Sequence, residues 1–342
     1  MKILLDHSCP FFLAHGGVQV QIEQTKAALE QIGVEVEYLR WWDDRQEADL
    51  IHTIGRPSGH FVQLAHQKGM AVVAAELMGG LSVRPPLSHA LHRAGVALAR
   101  RWLPPLVSHK MGWSAFQTVD AFVSLTAWEA HLLHYVFGVP KERITVIPNG
   151  VESVFFESDP AARGEWLVCT STVRDIKRTL ELAEAAILAQ TPVWIIGRPY
   201  AEDDPYYRAF LDVVRGSNGL VRYEGPVSDR VQLAAIYRQA RGFVLLSQYE
   251  SLSLSALEAA ACECPLLLSD LAWARTSFAD HARYCPVTPN RKTTAQALRA
   301  FYDAAPTLPP PPRPASWRDV ALQLSTIYET AVARRKAAAQ TA

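Results

Sequence analysis

No stretch of the sequence stays apolar for the roughly 18 residues that a membrane-crossing helix needs, so none of it reads as a span. The opening residues, MKILLDHSCP, have neither the apolar core nor the cleavage site of a secretory signal. The expectation is a cytoplasmic protein, with any membrane contact peripheral and at the inner face. A charge excess is missing too: 34 basic and 34 acidic residues cancel, so nothing global steers the chain to nucleic acid. Paired cysteines are absent. The five, Cys9, Cys169, Cys262, Cys264 and Cys285, are odd in number and scattered, which excludes a disulfide framework and suits reduced thiols. Cys262 and Cys264 form C-x-C with no histidine or further cysteine near enough to complete a tetrahedral site, so they read as small buried residues. Asp43-Asp44 and Asp203-Asp204 lie in loop-like stretches, and His89 and His92, three apart, lack a third ligand and read as surface residues. No metal is expected. Acids are also lacking between Leu77 and Val119, where Arg84, Arg93, Arg100, Arg101, Lys110 and three histidines interleave with Trp102, Leu103, Leu106 and Trp113. Either 84–113 meets an anionic membrane or a lipid-phosphate acceptor, or it is a basic solvated helix covering the core.

What is present is enough apolar residue, 49% of 342, for two cores of ordinary domain size, with an unremarkable 20% charged. Residues 2–5 (KILL) read as a buried strand. After Gly16-Gly17 comes a helix over 18–32, with Val18, Ile22, Leu29 and Ile32 on one face and Gly33 placed for a left-handed C-cap. Strands at 34–39, 48–55, 69–77, 119–126 and 144–150 continue a β–α alternation, the pattern of an open parallel sheet covered on both faces. The pattern restarts after residue 150. Strands at 165–172, 192–197, 219–225, 242–247 and 265–270 alternate with helical segments, the first of them over 177–189. Two doubly wound domains follow, 1–150 and 151–305, with the hinge near 149–154. Residues 306–315 (PTLPPPPRPA) form a proline-rich spacer. A helix over 316–338 then starts at Ser316 and carries Val320, Leu324, Ile327 and Ala331 on one face.

The segment SQYESLSLSALEAAACECPLLLSD (247–270) sets Glu250 and Glu258 eight positions apart, between a buried-strand pattern and a helix. Ser255-x-x-Glu258 has the form of a capping box, which makes Glu258 a helix-closing residue. A strand–loop–helix reading puts Glu250 in the crevice outside the strand's C-terminal end, where open α/β sheets bind ligands. The free amides and positive dipole end of the helix then offer a phosphate seat. Carboxylates beside such a seat suit sugar hydroxyls rather than phosphate.

YESLSLSALEAAACECPLLLSD resembles the E-x7-E segment of the family 4 glycosyltransferases, which have the GT-B fold: two Rossmann-like domains with the active cleft between them. HGGVQVQIEQTKAALEQIGVEVEYL is similar to that family's Gly-rich loop, helix and strand, and GVPKERITVIPNGVESVFF to its interdomain segment. The likeness runs over nearly the whole chain. It implies that Glu250 contacts hydroxyls of a donor sugar and Glu258 the ribose of its nucleotide, with the amides of Ser251, Leu252, Ser253 and Leu254 facing the phosphates between them. It aligns STVRDIK (171–177) with a motif whose lysine, here Lys177, binds phosphate. The family's arginine falls at Thr172, a departure for which Arg174 is the substitute. Gly16 and Gly17 are implied in the loop closing over the diphosphate. Gly197, at a strand end, and Val227, in the base-selecting stretch 224–227, complete the donor side. Glu76 stands where many relatives carry a histidine near the acceptor, and Glu263 replaces a family glycine.

The resemblance implies transfer of a hexose from a nucleotide diphosphate sugar to an acceptor hydroxyl with retention of configuration. No cofactor beyond that co-substrate is implied, and the acceptor is a sugar or lipid-linked glycan held by the N-terminal domain. The alternative is a degenerate member that binds nucleotide sugar or a protein partner without turnover, a class the departures at Thr172, Glu76 and Glu263 would suit. An epimerase of the same fold is disfavoured by the joint presence of P-N-G-V-E and E-x7-E.

Overall fold

The computed structural model describes residues 1–7, 16–102, 113–157 and 162–340. The chain divides into two compact units, Met1–Gly150 with Trp317–Ala342, and Val151–Ser316.

Unit 1 holds six parallel strands, β1 Lys2–His7, β2 Glu35–Tyr38, β3 Leu50–Ile54, β4 Ala71–Ala75, β5 Ala121–Ser124 and β6 Ile144–Val146, in the order β2-β1-β3-β4-β5-β6. Helices α1 Gly17–Gln31, α2 Gly59–Gln67, α3 Gly79–Ser82, α4 Pro86–Trp102, α5 Ala115–Thr118 and α6 Ala127–Phe137 are interspersed with them. Every residue of β3, β4 and β5 is buried, as expected where helices cover both faces of a parallel sheet. Leu4, Ile51, Val72 and Phe122 belong to the core on one face, where the Phe116 and Phe137 rings stack 4.1 Å apart. Ile54 pairs with Ala75 and Ala75 with Val123, so the residues following β3, β4 and β5 emerge together at one sheet edge.

Unit 2 repeats the scheme with β7 Leu167–Thr170, β8 Val193–Ile196, β9 Val221–Tyr223, β10 Gly242–Leu245, β11 Leu266–Ser269 and β12 Arg283–Cys285, in the order β12-β11-β10-β7-β8-β9. Its helices are α7 Thr179–Ala189, α8 Pro205–Arg215, α9 Arg230–Gln239, α10 Leu254–Ala261, α11 Ala272–Phe278 and α12 Arg291–Ala304. The strand order runs one way from β7 to β9 and the other way from β10 to β12. The switch point therefore lies between β7 and β10, at whose C-terminal ends a ligand crevice belongs. The final helix, α13 Trp317–Gln340, packs on α1 and β4 of unit 1.

Several expectations need correction. The cap of α10 is Ser253, whose hydroxyl accepts from the Ala256 amide at 3.2 Å, so the capping box built on Ser255 does not form. The helix expected from 177 starts at Thr179, behind a 3-10 turn over Asp175–Lys177. In α13 the buried stripe runs Val320, Leu324, Tyr328, Ala331, and Tyr328 takes the place expected of Ile327 because its hydroxyl reaches Nδ1 of His52 at 2.6 Å. His89 is not a surface residue. It is buried, with Nε2 2.9 Å from the Leu81 carbonyl and its ring against Trp128. β12 was not anticipated. Cys169, Cys262, Cys264 and Cys285 are free and buried, as their small size suggested. Burial pushes the Cys169 thiol up to about 11 and those of Cys262 and Cys264 to about 12, so all three stay protonated. Cys9 lies outside the described residues, as do Leu103, Leu106 and Lys110 of the basic segment.

Candidate active site

The structure brings Lys177 and Glu250 together at the switch point of unit 2. Beyond β7 the chain stays extended, with the Val173 amide donating to the Arg198 carbonyl at 2.9 Å, and then tightens into the 3-10 turn that ends at Lys177. Arg178, next in line, adopts a left-handed conformation (φ 54°) that a non-glycine residue rarely takes. Its guanidinium holds it there by donating to the Thr288 carbonyl at 2.6 Å. Lys177 is thereby aimed at Glu250, in the loop after β10, and the Lys177 ammonium pairs with Glu250 Oε1. Ser247 Oγ donates to the same oxygen at 2.8 Å, while the Gln248 amide ties the loop to the Ile176 carbonyl at 2.8 Å. Glu250 Oε2 makes no hydrogen bond among the described residues, and the ammonium has three donors, so both retain capacity for a ligand.

From Glu250 the loop runs through Ser251, Leu252 and Ser253 into α10. Leu252 and Ser253 are buried, which fixes the backbone whose amides open the helix. Ser253 Oγ satisfies the Ala256 amide; those of Leu254 and Ser255, at the start of the helix, have no intrahelical acceptor. With the dipole end and Lys177 they make an anion-favouring spot.

Glu258 lies on the buried face of α10, only 7% exposed. Its Oε1 accepts from Arg230 Nη2 at 2.5 Å and its Oε2 from the Tyr237 hydroxyl at 3.2 Å, both from α9. Arg230 also donates to Glu152 Oε2, at 2.8 Å from Nε and 2.5 Å from Nη2, and stacks 4.7 Å over the Phe155 ring. Tyr237 is held in turn by Thr170 Oγ1 at 2.5 Å, at the end of β7. Burial raises the Glu258 carboxyl above the usual carboxylate range, and the Arg230 guanidinium works against that rise. Sequence reasoning missed Arg230 and Tyr237. Glu152 was in view only as the last letter of P-N-G-V-E.

Arg174 is placed differently. Its guanidinium stacks 4.4 Å over the Tyr200 ring with Nε 3.8 Å from Asp175, and no side-chain hydrogen bond or ion pair among the described residues ties it to Lys177 or Glu250, although the Lys177 amide donates to the Arg174 carbonyl at 3.0 Å. Gly197 serves close packing: a Cβ there would come 1.9 Å from the Ser171 carbonyl oxygen, so only glycine lets β8 lie this close to the segment leading to Lys177. Val227 is half-buried in the loop after β9, beyond Gly225, which has φ 82°. Glu263 is left-handed at φ 56°, a conformation that glycine adopts more readily; its carbonyl accepts from Arg163 Nη2 at 2.7 Å.

Gly16 and Gly17 lie in unit 1, exposed at the start of α1, and a Cβ on Gly16 would meet nothing within 4 Å. Glu76 is in unit 1 as well, just past β4. It is 7% exposed, and its Oε1 accepts from Arg56 Nη2 at 2.7 Å and Nε at 3.2 Å. Arg56 is itself held over the Phe116 ring at 4.6 Å. Glu76 Oε2 is buried with no hydrogen-bond partner among the described residues, as is the hydroxyl of Ser124 on the neighbouring strand.

Comparison with known proteins places this arrangement. Residues 15–154 match the family model described as Glycosyltransferase Family 4, and residues 165–303 the one described as Glycosyl transferases group 1, so the two together cover most of the chain. The chain belongs to the family 4 glycosyltransferases. It is 27% identical over 222 residues to the D-inositol 3-phosphate glycosyltransferase of Kineococcus radiotolerans, covering 57% of this chain and 51% of that protein. It is 31% identical over 144 residues to the GDP-mannose:cellobiosyl-diphosphopolyprenol alpha-mannosyltransferase of Xanthomonas campestris, covering 39% and 36%. The chain spans about half the length, or less, of the curated relatives it matches. Among solved structures, sucrose-phosphate synthase of Thermosynechococcus elongatus superposes with a TM-score of 0.68 at 18% identity, over 97% of this chain and 99% of that one. Anabaena HepE, in complex with UDP and glucose, does so at 0.62 and 15%, over 98% and 100%. The fold is GT-B, with two Rossmann-like domains.

Proposed function

We propose that the protein transfers a hexose from a nucleotide diphosphate sugar to an acceptor hydroxyl, with retention at the anomeric carbon. The observation that carries the reading is the convergence of Lys177, Glu250 and the opening of α10 at the switch point of unit 2. A cation and free amides suit a departing diphosphate, and a carboxylate with an unused oxygen suits a sugar hydroxyl. In this proposal Lys177 and the amides of Ser251 to Leu254 stabilise the leaving phosphates, Glu250 orients the sugar and Glu258 receives the ribose hydroxyls. Both oxygens of Glu258 are already bonded, yet a carboxylate has about four acceptor sites, so Arg230 and a ribose can share it. Arg174, held against Tyr200, supplies long-range positive charge rather than direct contact. Glu76, with one buried oxygen unbonded among the described residues, orients the acceptor from unit 1.

The names of relatives support this choice of substrates. HepE holds UDP and glucose, and the Xanthomonas enzyme is named for GDP-mannose and a polyprenol-linked acceptor. A sugar or lipid-linked glycan as acceptor, and peripheral membrane contact through 84–113, belong to the same proposal. No helix among the described residues is long and apolar enough to cross a membrane.

Release of nucleoside diphosphate from UDP-, GDP- and ADP-sugars, with and without glycan acceptors, tests the reading. Lys177→Ala is expected to slow turnover by about 10²- to 10³-fold, the usual loss when one stabiliser of a leaving oxyanion is removed. Product anomers read by NMR test retention. Binding of nucleotide sugar without release by the wild-type protein under any acceptor would leave a non-catalytic binder.

A further inference from the structure

We infer that the solvent side of α4 is a docking face for an anionic lipid bilayer. The helix carries two apolar stripes. One faces inward: His89, Val96 and Ala99 are buried, and the His92 ring lies 5.5 Å from that of Phe137. The other faces water. Leu87 is 72% exposed, Leu91 66%, Leu98 61% and Trp102 72%. Steps of four, seven and four residues return to one side of a helix that turns about 100° per residue, so these four side chains form a single line down its outer face. A helix that only covers a core places polar residues there instead.

Charge decides what covers this line. Arg84, just before α4, and Arg101, with its guanidinium 5.9 Å from the Trp102 ring, are exposed at the two ends of the line; Arg93 and Arg100 turn to the other side, Arg93 4.8 Å over the Tyr135 ring and Arg100 beside Gly138, and the sequence has no carboxylate from Leu77 to Val119. The whole chain is neutral, so this is a local excess. A second copy meeting the same face across a two-fold axis would set these cations against their equivalents. A bilayer rich in acidic lipid offers phosphates to the arginines and, a few ångströms deeper, acyl chains to the leucines and the indole, the usual seat of an interfacial helix. This deepens the membrane contact proposed above and does not depend on the donor site being a nucleotide-sugar site.

The test is co-sedimentation of the full chain with vesicles of equal parts phosphatidylcholine and phosphatidylglycerol, and with phosphatidylcholine alone, at low and high salt. Wild type is expected to sediment with the acidic vesicles, less with the neutral ones, and less in high salt. Leu91→Glu with Leu98→Glu should weaken that binding by at least about tenfold. Both sites are water-facing, so melting temperature and nucleotide binding should stay unchanged. Arg84→Ala with Arg101→Ala should lower binding to acidic vesicles while leaving the weak neutral binding alone, and serves if the first variant misfolds. Wild type remaining in the supernatant with acidic vesicles, or a double leucine variant that binds as wild type does, would overturn the inference. So would a wild-type dimer in light scattering that the leucine variant loses, together with no vesicle binding, which would assign the face to a second copy.

Discussion

At the scale of single residues, the informative contact is the one Arg230 makes. Glu258 is buried, and burial alone pushes a carboxyl towards the protonated form, in which it accepts hydroxyl hydrogen bonds poorly. The groups facing it are Arg230 and Tyr237 from α9, Glu152 from the segment entering unit 2, and Cys262 just past the end of α10. Of these only Arg230 is a cation, and Glu152 adds like-charge repulsion. Removing Arg230 therefore raises the Glu258 pKa further. Because the raised group is an acid, the ionised acceptor is lost as pH falls and regained as it rises. Donor affinity in Arg230→Ala should begin to fall at a higher pH than in wild type as the medium is acidified, by about tenfold per unit of added pKa shift, and Arg230→Lys should restore much of the wild-type profile. Calorimetric Kd measured against pH decides it. A uniform loss of affinity at every pH would mean that Arg230 only props up the fold.

At the scale of elements, α13 is fastened to unit 1 through His52 on β3. The imidazole is fully enclosed, burial pushes its pKa down to about 4 from 6.5, and its Nδ1 meets the Tyr328 hydroxyl. Folded, it stays neutral over a range in which the unfolded chain takes up a proton. Its contribution is therefore complete above about pH 6.5 and is lost as pH falls towards 4, to the extent of about 3 kcal/mol. The protection of the β3 and β4 amides against hydrogen exchange, taken relative to the intrinsic exchange rate at each pH, should fall as pH drops over that window in wild type, and a His52→Gln variant should lack the slope. Equal slopes in the two proteins would contradict it. These elements also mark what periodicity can reveal. β3, β4 and β5, buried on both faces, are nearly continuous apolar runs and were legible. β12 was not, being three residues long, at the edge of its sheet, with Arg283 exposed. The cap of α10 was misplaced because Ser255, with Glu258 three residues on, fits the capping-box pattern while the actual cap, Ser253, has Ala256 there.

At the scale of the whole molecule, two doubly wound units and their boundary near residue 150 could be read from the alternation alone, since each β–α step is a local pattern. The candidate site could not. Lys177 and Glu250 lie 73 residues apart and meet only because β7 and β10 are neighbours across the switch point. The strand–loop–helix pattern placed Glu250 in a ligand crevice, but only resemblance to a family singled out Lys177 as belonging with it. Glu258 was singled out by its motif, but its partner Arg230, 28 residues away on the adjacent helix, was not, and their pairing stayed hidden until the helices were packed. The claim that joins these scales is that unit 2 seats a nucleotide diphosphate between Glu250 and Glu258. The most direct measurement is the thermal shift of wild type, Lys177→Ala and Glu258→Ala with UDP, GDP, ADP and their sugar conjugates. A ligand at a hundred times its Kd stabilises the folded state by about 2.7 kcal/mol. The account predicts that one base stabilises wild type by about that amount and neither variant to the same degree. A shift of equal size in all three proteins, or none with any nucleotide, would contradict it.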